Sequence, residues 1–226
     1  MTSPPRTARL TGGREVVRGW LADTVALDAA VYAAVARTPT PTLDRALSRV
    51  STAANHSKLW VGCALALAVA GGRPGRAAAA DGLTSVAVTS AVVNLALKRA
   101  GRRGRPDRAG VPGVRHVEMP GSLSFPSGHA ASASAFATGV GGRLPVVAAP
   151  LHGAAGVVAY SRVHTGVHHP LDVLVGWIVG TLLAQLTTRF AGGLAARAVG
   201  RVSGRAGRAR AGSWPARGTA RGRAAA

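Results

Sequence analysis

Short basic or Pro/Gly-rich turns cut this chain into apolar runs that suit helices rather than strands. The clearest is Leu171–Phe190, since about 20 helical residues cross a bilayer. Pro170 precedes it; its fixed φ and missing N–H suit a first helical turn. Ala77–Leu97 is also long enough, and Asp81, Thr84, Ser85, Thr89 and Asn94 imply that it packs against other helices. Ala130–Gly142 consists of small residues suited to close helix approach. Arg143 and Pro145 then turn the chain, and Val146–Tyr160 returns. Leu59–Gly72 is short for a bilayer and ends in the basic turn Arg73, Pro74, Arg76. Strand-like alternation is absent, and a soluble bundle would need polar faces that these runs lack. The expected fold is an all-α integral membrane bundle of about five spans, with residues 59–190 as its core.

Residues 1–58 read as a polar segment followed by interfacial helices. Residues 1–14 lack the apolar stretch of a signal peptide. Between Trp20 and Ala36, the pattern Leu21, Val25, Leu27, Val31, Tyr32, Val35 predicts an amphipathic helix. Asp23 and Asp28 make it a poor span, so it is expected to lie on the membrane surface. Thr38–Thr42, with two prolines, ends it, and Leu43, Leu47 and Val50 suggest a second short helix. Residues 191–226 form an Arg/Gly/Ala-rich tail, expected to be disordered and close to an anionic membrane.

The formal net charge of +20 raises nucleic-acid binding as a reading. Nine of the Arg, however, lie at or beyond the end of the last apolar run, in a tail without a periodic apolar face. The distribution argues against nucleic acid and for a membrane. One cysteine, Cys63, excludes an internal disulfide and a Cys-based metal site; in its apolar run it reads as a core residue.

Chemistry concentrates in Ser161–Asp172, which packs one Arg, three His and one Asp into twelve residues. His168 precedes a helix whose first turn carries Asp172, close enough for a hydrogen bond. A carboxylate fixes the tautomer and orientation of an imidazole, as a nucleophile or base requires. Two further clusters lie at helix ends: Lys98 to Arg105-Pro106, and Phe125-Pro126-Ser127-Gly128-His129. If the runs alternate across the membrane, all three share one face.

Lys-x6-Arg-Pro, Pro-Ser-Gly-His and Ser-Arg-x5-His-x3-Asp resemble the three signatures of the type 2 phosphatidic acid phosphatase superfamily. The match is complete: Lys98, Arg105, Pro106; Pro126, Ser127, Gly128, His129; Ser161, Arg162, His168, Asp172. The residues suit phosphoryl transfer, which depends on positioning and charge stabilisation. Lys98, Arg105 and Arg162 supply cations, the two Arg as planar forks. Ser127 and Gly128, at a helix start, offer backbone N–H groups, and the Ser127 hydroxyl can donate too. The resemblance implies that His168 attacks phosphorus to form a phosphohistidine, that Asp172 orients it, and that His129 protonates the leaving oxygen. The residues alone would permit the two His roles to be reversed. No metal or other cofactor is implied, because the Arg/Lys set takes a metal's place.

Other polar residues read more plainly. His164 and His169 are bystanders, with His169 the nearest rival nucleophile. Arg99, Arg102, Arg103 and Arg108 are read as solvated or membrane-surface charges, a minority steering substrate. Asp107 should face away from phosphate, His116 and Glu118 could touch a headgroup, and His56 and Lys58 are interfacial. The basic turns at Arg73/Arg76 and Arg143 lie opposite the site, which places the site outside and the C-terminus in the cytoplasm. The loop Lys98–Glu118 is itself basic, with seven cations against two acids, part of which phosphate binding explains.

The resemblance implies a lipid phosphate or pyrophosphate as substrate, and the Ala/Gly/Arg-rich composition resembles that of a high-GC bacterium. A polyprenyl-phosphate-sugar phosphatase in envelope synthesis is one alternative. A vanadate-dependent haloperoxidase and a non-enzymatic basic membrane protein are the others.

Overall fold

A computed structural model describes residues 6–211, with side chains described over 13–190. Residues Met1–Thr188 fall in one compact unit and Arg189–Ala226 in a second. Eight α-helices are present among the described residues: α1 (Arg6–Arg37), α2 (Pro41–Ala53), α3 (Lys58–Ala70), α4 (Gly72–Val92), α5 (Lys98–Gly101), α6 (Gly128–Gly141), α7 (Pro145–His164) and α8 (Pro170–Ala211). No strand occurs among them. The protein is a multi-pass, all-helical membrane bundle.

Four helices are long and apolar enough to cross a membrane: Gly13–Arg37, Gly72–Gly101, Pro145–His164 and Pro170–Phe190. α3 and α6, read from the sequence as spans, have 13 and 14 residues. The N-terminal helix, expected on the surface, qualifies for crossing by length and hydropathy. Asp28, which had counted against it, is 5 % exposed and ion-paired to Arg103 at 2.5 Å. A paired carboxylate is compatible with a spanning helix. α8 continues as helix to Ala211, so the backbone is helical over the first part of the tail expected to be disordered. Residues 212–226 lie outside the described residues.

α6 is the axis of the bundle and packs against both α4 and α7. Its small residues explain why: Ala130 through Ala137, Gly139 and Val140 are all buried. Trp60 of α3 meets Phe136 of α6 with ring centroids 5.4 Å apart. Around that pair gather Ala64, Ala78, Val86, Ala133, Ala155 and Val158. α8 reaches α6 at Gly176 and Gly180, where any Cβ would collide with the carbonyl oxygens of Ser127 and Ala131. Small residues let the two backbones touch, and that contact brings the start of α6 to the start of α8.

The chain alternates so that α4 ends, α6 begins, α7 ends and α8 begins at one end of the bundle. α2 packs against α7 at that end. Arg115, fully buried, knits the region together. It donates to Asp44 (2.8 Å), to the carbonyls of Val35 and Thr38, and to Thr40. His164 Nε2 lies 3.1 Å from the same Asp44 carboxylate. Burial acts to raise the Asp44 pKa, but Thr40, Arg115 and His164 together hold it below the ordinary value.

Candidate active site

Three local devices aim the site residues. A π turn over Val93–Leu97 interrupts the helix just before Lys98; such bulges re-aim side chains and recur at functional sites. Ser127 caps α6 and accepts from the Ala130 N–H, which leaves the first-turn amides of Gly128 and His129 without intrahelical partners. Gly166, at φ +68, lets the chain reverse after α7. The N–H groups of Val167 and His168 then both donate to the Arg162 carbonyl.

These devices bring the three signatures together. The Ser127 N–H donates to the Asp172 carbonyl at 2.8 Å, so this amide fastens α6 to α8 and is not free for an anion as expected. A Cβ on Gly128 would lie 3.8 Å from Lys98 Nζ. Arg105 donates through Nη1 to the Val167 carbonyl (2.9 Å) and approaches His168 Nε2 at 3.3 Å. Ser122 accepts from both Lys98 (2.9 Å, hydroxyl) and Arg105 (3.0 Å, carbonyl).

His168 is 2 % exposed. Its Nδ1 is 3.7 Å from Asp172 Oδ2, too far for the direct hydrogen bond that the sequence suggests. Ser124 bridges the gap: its Oγ is 3.3 Å from His168 Nδ1 and donates to Asp172 Oδ2 at 2.5 Å. A guanidinium can only donate, so Nε2 is the acceptor and the proton sits on Nδ1, toward Ser124. Asp172 also accepts from the His169 N–H (3.0 Å) and from Arg103 (3.0 Å). Burial pulls the His168 pKa down to about 4; Asp172 opposes this, while Arg105 and Arg162 add to it.

Arg162 is 1 % exposed. Its Nη1 donates to Ser51 Oγ at 2.5 Å and to the Ser51 carbonyl at 3.2 Å. Its Nε and Nη2 are buried without any partner. A buried cation with two idle donors is costly unless an anion completes it. His129 places Nε2 2.9 Å from Asn55 Oδ1. Asn55 opens a turn whose next residues, His56 (φ 55) and Ser57 (φ 58), are both left-handed without being glycine. Such strain persists only where the surroundings enforce it. Burial first, then Arg162, His168, Lys98 and Arg105 in that order, push the His129 pKa far down.

Arg103 corrects the reading of a solvated charge: it bridges Asp172 and Asp28, tying α1 to the site. Arg108 donates to the carbonyls of Gly166 and Val117 and keeps a buried, unpartnered Nη2. Asp107, His116 and Glu118 are exposed, Asp107 as expected. His164 serves Asp44 rather than the site, and the His169 ring lies tilted against Tyr32 with centroids 5.6 Å apart. Ser51, Asn55 and Ser124 went unread because isolated Ser and Asn carry no spacing signal. Arg103 has only an indirect signal: Asp28 in an apolar helix demands a cation without showing which.

The model of the PAP2 superfamily matches residues 78–194. Decaprenylphosphoryl-5-phosphoribose phosphatase of Mycolicibacterium smegmatis is 37% identical over 154 residues, 65% of this chain and 77% of that protein. The protein of the same name from Mycobacterium tuberculosis is 39% identical over 101 residues, 43% of this chain. The match spans about half of that relative's length (52%). Among solved structures, LpxE of Aquifex aeolicus superposes with TM-score 0.60 at 23% identity, covering 72% of this chain and 95% of that one. The PAP2-type phosphatidylglycerolphosphate phosphatase of Bacillus subtilis gives 0.60 at 24% identity, covering 75% and 87%. The chain belongs to the PAP2 superfamily.

Proposed function

We propose that this protein hydrolyses a lipid phosphate through a phosphohistidine on His168, without a metal. The observation that carries the reading is Arg162, buried with Nε and Nη2 unpartnered beside an imidazole of fixed tautomer. Phosphate oxygens would complete Arg162 and draw Arg105 and Lys98 onto themselves. Releasing Arg105 frees the Nε2 lone pair of His168 for attack on phosphorus. Ser124 and Asp172 hold the Nδ1 proton and stabilise the positive charge that develops on the ring. The P–O bond to the lipid breaks as the Nε2–P bond forms; the bound phosphate offsets the cations that depress the His129 pKa, so His129 enters the complex protonated and gives the leaving oxygen its proton. His129 then takes a proton from the water that hydrolyses the phosphohistidine. Gly128 and His129 amides add N–H donors at the start of α6. The cluster of Lys98, Arg105 and Arg162 repels a metal cation and supplies the charge that one would bring.

Phosphate release from a panel of lipid phosphates in detergent with EDTA tests this. Wild type should release phosphate and His168→Ala should not; release abolished by EDTA, or retained in the variant, overturns it. A polyprenyl-phosphate-sugar substrate is the reading favoured by the relatives, whose names specify decaprenylphosphoryl-5-phosphoribose. The site faces the extracytoplasmic side: Arg73, Arg76 and Arg143 sit at the opposite end of the bundle, as cytoplasmic cations do. A C-terminal tag cleaved by protease outside intact cells would contradict this.

A further inference from the structure

We propose that the cleft beside His129 is a subsite for a hydroxyl-bearing group, such as a sugar ring, on the leaving side of the phosphate. This rests on the phosphatase reading above. The cleft has a volume of ≈ 180 Å³ and is bounded by Lys98, Gly128 and His129, with Ser57, Ser90, Asn94 and Ser132 beyond them. One water needs about 10–15 Å³ of such space, so several hydroxyl-sized groups fit. Neither His168 nor Arg162 lines it. In-line displacement puts the leaving group opposite the nucleophile. A group next to His129 and away from His168 is therefore the departing alcohol.

The lining is polar where a membrane helix would ordinarily be apolar. Ser90 lies two helical turns below Lys98, about 12 Å along the axis, and its Oγ is 3.2 Å from Ser132 Oγ of α6. Asn94, inside the π turn, donates to the Ser90 carbonyl at 2.8 Å. That bond fixes the amide plane and leaves Oδ1 as an acceptor. Polar side chains at such depth are expensive and mark sites of use. A hydroxylated leaving group can pair with Asn94 Oδ1 and with the spare lone pairs of the two serine hydroxyls, whereas an aliphatic one offers them nothing. Sites built to bond a hydroxyl reject the analogue that lacks it far more strongly than apolar pockets discriminate by size.

The test compares two substrates in detergent: a polyprenyl-phosphate pentose 5-phosphate and phosphatidic acid. Wild type should favour the sugar substrate in kcat/KM. Asn94→Leu should cost the sugar substrate about ten-fold more than phosphatidic acid, and Ser132→Ala, the smaller change, should move the ratio the same way. Equal losses on both substrates in folded protein, or a wild-type preference for phosphatidic acid, overturn the subsite while leaving the phosphatase reading intact. Turnover of neither substrate by wild type, together with no phosphate release across the wider panel, defeats both.

Discussion

Ser124 Oγ stands between His168 and Asp172, 3.3 Å from Nδ1 of the one and 2.5 Å from Oδ2 of the other. The pair is therefore a relay of three groups, in which the carboxylate acts on the imidazole largely through a hydroxyl. Ser124→Ala should lower kcat roughly ten-fold with little change in KM, because it disturbs the ring and not the phosphate cradle. Ser124→Thr, which keeps the hydroxyl, should recover part of the loss. Steady-state kinetics on both variants checks this; a KM effect alone would assign Ser124 to substrate binding.

Asn55 does the corresponding work for His129. Asn55→Leu removes the acceptor 2.9 Å from Nε2 and frees the ring to adopt either tautomer. Turnover of an alkyl phosphate should fall about ten-fold or more, since general acid catalysis is worth 10²–10⁴. A p-nitrophenyl ester needs no protonation to leave and should lose far less. Equal losses on the two esters would mean that Asn55 only supports the fold.

How much of this was readable in advance follows from what the residues encode. The cations and imidazoles at helix ends, from Lys98 to Asp172, were visible because their spacing is rigid and their chemistry rare. The small residues of α6 announced a central helix. Asn55 and Ser124 were invisible: each is a common residue whose role comes only from where the turn and loop place it. Arg103 and Arg115 were hidden in a generally basic chain, where one paired guanidinium looks like any other. Asp28 was legible as a cost of crossing the membrane, but not as a cost already met by a partner 75 positions away.

His168 should remain neutral well below the ordinary histidine range, since burial takes its pKa to about 4. Histidine ¹⁵N NMR titration of the detergent-solubilised protein should show, besides the ring of His129, a ring that stays neutral at pH 5 and that is missing from His168→Gln. The sign also fixes a stability trend. The unfolded chain takes up the proton first, so His168 costs stability progressively as pH falls from about 6.5 toward about 4. A His168 resonance titrating near 6.5 would contradict its burial.

Arg115 and Asp44 hold the face that carries the site. Arg115→Met leaves Asp44 buried with Thr40 and His164 but without its cation, a loss of about 3–5 kcal/mol for a broken buried pair. The thermal midpoint in detergent should fall by several degrees. Because the Asp44 pKa is held below its ordinary 3.8, its contribution is complete above that value and disappears as pH drops through the folded one. An unchanged midpoint at neutral pH would show that this network adds nothing to stability.

The most direct test of the central claim is to trap the intermediate. Wild type mixed with ³²P-labelled lipid phosphate and quenched in alkali within one turnover should carry label on protein. The label should be acid-labile and should map to the peptide containing His168, and His168→Ala should carry none. Full turnover with no label at any quench time, or label on His129 or His169 instead, would contradict His168 as the nucleophile.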